Sequence, residues 1–154
     1  MNNLERAKDI LEKNKYTFVL MMDGKTIKTS HKKGIIPFME MIRDNRELMR
    51  GAVIADKVIG KAAALLAVGY KVQQIYTEIL SQQAKEVLDQ YSVFYQYGKY
   101  VDYIQNRSKS GQCPMEKLTK DTNDPKTAYS LILKYYQEVL KIDLSSINPD
   151  KENA

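Results

Sequence analysis

Ala52-Val-Ile-Ala-Asp-Lys-Val-Ile-Gly-Lys-Ala-Ala-Ala-Leu-Leu-Ala-Val-Gly69 is the stretch on which the fold turns. It is nearly apolar all round, with Gly60 and three alanines at its middle. It reads as one interior helix, packed closely on other backbone. Upstream, Leu4, Ala7, Ile10 and Leu11 recur at helical spacing and predict a helix over about 3–14. Two β-prone runs, 16–22 and 25–29, flank Asp23-Gly24, a strong hairpin signal. Pro37, ahead of Phe38, Met39, Met41 and Ile42, opens a short helix over about 37–44.

Downstream of Gly69, residues 72–79 read as a strand. Ser81 then caps a helix carrying Ala84, Val87, Leu88 and Tyr91 on one face. Two short strand-like runs follow, about 93–97 and 100–104, and Cys113-Pro114 opens another short helix. Asp124-Pro125 starts the last helix, with Ala128, Leu131, Ile132, Tyr135 and Val139 as its core face. The alternation after an opening hairpin predicts an α/β fold, a three-layer α/β/α sandwich with a mixed sheet and helices on both faces. Its division is a domain over 1–122, a C-terminal helix over 123–144 packed on the same domain, and a polar, flexible tail over 145–154.

Length and composition narrow the class. The chain has 154 residues, 44% hydrophobic and 28% charged, enough for one buried core. A lone cysteine excludes an internal disulfide and favours a reducing compartment. With one cysteine and one histidine, the usual Cys/His zinc sites are short of ligands, so no metal and no cofactor are expected. The longest uninterrupted apolar run, Ala62 to Val68, is far below the roughly 18 residues of a membrane span. The N-terminus lacks a signal peptide's apolar region, and the reading is a cytoplasmic protein without membrane contact. The net charge of +5 is diffuse: residues 1–50 hold 11 basic and 7 acidic side chains, and residues 111–154 hold 6 and 7. No basic run resembles a recognition element, which disfavours nucleic acid.

Polar residues interrupt the apolar pattern in three places. Asp56-Lys57 and Lys61 fall, on the one-helix reading, near a positive helix end where cations are disfavoured. Either Asp56 offsets them or a phosphate or carboxylate ligand does. Cys113-Pro114-Met115-Glu116 has the form of a capping box with a thiol in place of the hydroxyl, and a thiol at a helix start is either an inert buried group or a reactive one. Asn106-Arg107 is a loop pair able to hold an anion or simply solvated. His31 reads as a surface residue, and the five tyrosines from Tyr91 to Tyr103 as strand packing and an edge or interface surface.

Those stretches, with Gly34-Ile-Ile-Pro-Phe, Ala55-Asp-Lys-Val-Ile-Gly-Lys-Ala-Ala-Ala64, and Leu80-Ser81 with Ala84, resemble a bacterial family of uncharacterised proteins, the domain of unknown function 1893. The resemblance covers residues 1 to about 120 and leaves the last helix outside. It implies a cytidine deaminase-like sandwich. Active relatives of that fold hold zinc with His/Cys-x-Glu at the helix after the first hairpin and Pro-Cys-x-x-Cys at the helix after the third strand. The matching positions here look like Ala55-Asp56-Lys57 and Leu80-Ser81-Gln-Gln-Ala84, which lack the ligands and argue against hydrolytic deamination.

The resemblance also implies that Asp56, Lys57 and Ser81 are neighbours in one cleft. The resulting expectation is a zinc-free, deaminase-like domain binding a small anionic ligand, a nucleotide or phosphorylated metabolite. Lys57, Lys61, Ser81, Asn106, Arg107 and Glu116 would bind it, with Asp56, Lys57 and Cys113 as candidate catalytic groups. Two alternatives stand beside it: a non-catalytic interaction or regulatory module, including a homo-oligomer, and a thiol-dependent enzyme using Cys113.

Overall fold

The computed structural model describes residues 2–106 and 108–139. The chain opens with α1 (Asn3–Lys13), capped by the Asn2 side chain on Glu5 N, and turns into the hairpin β1 (Phe18–Met22) and β2 (Lys25–Ser30). Asp23 (φ 51°) and Gly24 (φ 79°) both take the left-handed conformation that tight hairpins require. α2 (Ile36–Asn45) follows, with Pro37 in its first turn, and a 3-10 turn spans Arg46–Met49.

The stretch from Ala52 to Gly69 corrects the one-helix expectation. It forms a strand, β3 (Val53–Ile59), and then a helix, α3 (Lys61–Gly69), with Gly60 at the N-cap between them. Val53, Ile54, Val58 and Ile59 are β-branched and fit a pleated sheet better than a helix, whereas the alanine-leucine half is helical by propensity. Periodicity misses the break because in the whole stretch only the adjacent pair Lys57 and Val58 is exposed, which traces neither a helical nor a strand face. Asp56 and Lys57 therefore lie in a strand, away from any helix start.

β4 (Gln74–Ser81), as long as expected but two residues further along, leads into α4 (Gln82–Gln90). A single strand, β5 (Phe94–Val101), replaces the two short runs expected there, and an isolated bridge joins Gln105 to Gln112. α5 (Pro114–Thr119) and α6 (Pro125–Lys134) follow, and a π-helical turn spans Tyr135–Val139.

The strands form one mixed sheet in the order β2-β1-β3-β4-β5, with β1 antiparallel to both neighbours and β3, β4 and β5 parallel. Helices cover both faces. α1 packs Leu4, Ala7 and Leu11 on Val19, Met21, Val53, Ala55 and Tyr76. The other face carries Phe18, Leu20, Ile54, Ile75 and Leu80 against α2 to α6. β1 and β3 thus bury alternate residues in two different cores.

The small residues of α3 let neighbouring backbone come close. A Cβ on Gly69 would meet Pro125 Cβ at 2.5 Å, which brings the start of α6 against the end of α3. Ala128, Ile132 and Tyr136 are buried in the main core, with Leu131 and Tyr135 only half-buried. The segment 145–154 lies outside the described residues.

Candidate functional site

The parallel strands β3 and β4 end side by side, Ile59 opposite Leu80, so the starts of α3 and α4 are adjacent. In α/β sheets, this carboxyl end of the strands is where sites form. Gly60 caps α3 with no side chain to offer, and Ser81 caps α4 by accepting a hydrogen bond from Ala84 N at 3.1 Å. Between the two helix starts lies Glu116, 1% exposed, delivered by α5.

The Glu116 carboxylate is fully used. Oε2 accepts from Lys61 N at 3.2 Å and from the Ser81 hydroxyl, and Oε1 accepts from Ile104 N at 2.7 Å. One buried anion therefore answers an orphan donor of α3, the cap of α4 and the chain after β5. Gly60 lets these side chains close in, since a Cβ would sit 3.0 Å from Glu116 Cγ and 3.1 Å from Ile104 Cγ1 and press both outward. The capping box expected at Cys113 is not formed. Glu116 turns inward instead of back to its own N-cap, and Cys113, half-buried, makes no capping hydrogen bond. Burial lowers the pKa of the Lys61 amine, which donates to Lys120 O at 2.8 Å.

Asp56 and Lys57 are not part of this cluster. Asp56 pairs with Thr77, four residues before Ser81, or ~13 Å along the strand. Its carboxyl is buried: Oδ1 accepts from Val58 N at 3.1 Å, and Oδ2 has no hydrogen-bond partner among the described residues. Burial pushes its pKa up to about 8, with the Glu78 carboxylate adding to the rise. Lys57 is exposed, so the two neighbours in sequence face different surroundings. The expected proximity of Asp56, Lys57 and Ser81 fails because the positions were assigned to helix starts. The helix after the hairpin is α2 and the helix after β3 is α3. Ala55-Asp56-Lys57 lies inside β3, and Leu80-Ser81 opens the helix after β4.

Asn106 folds onto its own loop, its side-chain oxygen accepting from Ser110 N at 3.0 Å. Arg107 lies outside the described residues. His31 is exposed and rests against the Tyr16 ring at 4.7 Å. Sequence reasoning missed a second buried charge cluster, in which Glu40 of α2 pairs with Lys32 and, at 3.2 Å, with Lys28. Its signal was visible in Phe38-Met-Glu-Met-Ile42, one acid within an apolar helix turn. Among the described residues, no group of three or more His, Cys, Asp or Glu side chains could hold a metal ion. No described helix is long and apolar enough to cross a membrane.

Fold and site together define a mixed α/β sandwich whose adjoining helix starts are closed by a carboxylate of the same chain. The chain belongs to the family of the domain of unknown function 1893, whose model matches residues 6–136. The match runs through α6, past the limit near 120 that the sequence motifs suggested. A crystal structure of a family member from Thermotoga maritima is similar, with a TM-score of 0.80 at 26% identity, covering 87% of this chain and 90% of that one. No curated protein matches the chain.

Proposed function

We propose that the protein is a non-catalytic interaction module on a cytidine deaminase-like scaffold. Glu116 carries this reading. The helix starts at which an anionic ligand or a reactive group would sit are already occupied by a buried carboxylate with three donors satisfied. Displacing it would take the acceptor from Lys61 N, Ile104 N and the Ser81 hydroxyl proton, at a cost of about 1–3 kcal/mol for each buried donor left unpaired. The neighbourhood is thus built as a structural joint, and the exposed aromatic residues of β5 supply a surface for function.

A second reading, a small anionic ligand such as a nucleotide or phosphorylated metabolite, is favoured by two features. The Lys57 amine is exposed, and Asp56 Oδ2 is buried without a hydrogen-bond partner among the described residues. The thiol-enzyme alternative rests on Cys113 alone, half-buried at the start of a six-residue helix. Thermal unfolding across a panel of nucleotides and phosphorylated metabolites separates the first two readings. The interaction reading expects a midpoint constant to within about 1 °C for every compound, since only a ligand of the native state raises it. A compound that raises the midpoint of the natural chain, but not of Lys57→Ala, would overturn it.

A further inference from the structure

β5 is an edge strand of eight residues, Phe94-Tyr-Gln-Tyr-Gly-Lys-Tyr-Val101, with Lys99 its only charge and no proline. Long apolar edges left unguarded in this way are templates for another strand. The opposite edge is different: β2 carries Lys25 and Lys28 in six residues, the usual protection against pairing. On β5, Phe94 is 55% exposed, Tyr97 43% and Tyr100 44%, and Tyr103 just beyond is 45% exposed. At the 150–250 Å² of an aromatic side chain, these four uncover roughly 400 Å², about half of what a stable interface buries per partner. The open strand edge with Gln96 and Lys99 adds to that area.

The rings are already ordered. Tyr97 lies 6.3 Å from Tyr95 and 6.0 Å from Tyr100, centroid to centroid. Gly98 lets β5 close tightly on β4, since a Cβ there would be 2.9 Å from Glu78 O. A pre-ordered aromatic edge loses little freedom on binding.

We propose that this edge pairs with β5 of a second copy of the chain, antiparallel about a two-fold axis near Gly98, so that two sheets become one. The proposal names the partner for the interaction reading above and rests on it. Self-pairing suits the charge pattern. With the axis at Tyr97 or Gly98, each Lys99 faces Tyr95 or Tyr97 of the other copy, a cation over an aromatic ring. Only an axis at Lys99 itself would set the two amines against each other. A nucleic acid would need more cations than one lysine in eight residues supplies.

Sedimentation equilibrium of the full chain at about 100 µM, well above a micromolar Kd, tests this. The expected mass is twice the 17.7 kDa of one chain. It falls to a single chain in the double variant Tyr97→Asp, Tyr100→Asp, with the circular dichroism unchanged. A cross-link checks the geometry without relying on that variant. Tyr97→Cys in a Cys113→Ser background joins two chains through a short bis-maleimide, which spans the offset between the two positions with the axis at either Tyr97 or Gly98, while Ile27→Cys on the β2 edge does not. A natural chain that stays monomeric, a dimer that survives the double variant, or equal cross-linking from the β2 edge would each overturn the self-pairing. The reading built on Glu116 falls on a different result, the ligand-dependent midpoint.

Discussion

Asp56 and Glu116 are both carboxyls buried to within a few per cent, yet the surroundings of each lead to opposite consequences. Glu116 meets two backbone N–H groups and a hydroxyl, so both of its oxygens have donors. Asp56 has an oxygen without a hydrogen-bond partner among the described residues, and its pKa rises from 3.8 to about 8. Between those two values the unfolded chain has released a proton that the folded chain still holds. The Asp56 contribution to stability therefore falls as pH rises from about 4 to about 8, and levels off above. Asp56→Asn, which keeps the uncharged shape, is expected to remove this slope. Urea unfolding should find the variant close to the natural chain at about pH 4 and more stable, by a few kcal/mol, above about pH 8. An unchanged slope would mean that Asp56 is solvated in the folded protein.

Elements are assembled here by close approach as much as by apolar area. Gly60 and Gly69 bracket α3, one pressed by Glu116 and Ile104, the other by Pro125. Gly69→Ala would place a methyl group where Pro125 Cβ already lies, and a ring carbon next to the backbone cannot swing aside. A loss of about 1–3 kcal/mol is expected in chemical denaturation, despite the better helix propensity of alanine. An equal or more stable variant would show that α6 can shift at no cost. At this scale the sequence was partly legible. The Asp23-Gly24 hairpin, the Ser81 cap and the Asp124-Pro125 start are local signals, set by residues within three or four positions of one another, and each produced its element. The β3–α3 boundary was not legible from periodicity, because in a run otherwise largely buried the adjacent exposed pair Lys57-Val58 traces neither a helical nor a strand face.

The whole molecule raises the question of whether α6 belongs to the fold. Ala128, Ile132 and Tyr136 are buried in the core shared with α3, and the family match includes them. Removing residues from 124 onward should uncover that face and cost ~5 kcal/mol at about 25 cal/mol per Å², comparable to the entire stability of a domain this size. Thermal unfolding of the shortened chain would check it. A cooperative transition within a few degrees of the full chain would make the helix a dispensable addition. The sequence by itself determined the class of fold, the helix caps and the absence of an internal disulfide, since these follow from local chemistry and from counting residue types. Of the polar residues it singled out, Glu116 and Ser81 meet side chain to side chain, and Lys61 joins them through its backbone N–H. Only the tertiary structure decided what they do together. Lys61 and Glu116 are 55 residues apart, and whether a carboxylate meets a ligand or its own helix starts depends on that long-range contact, which no local pattern encodes.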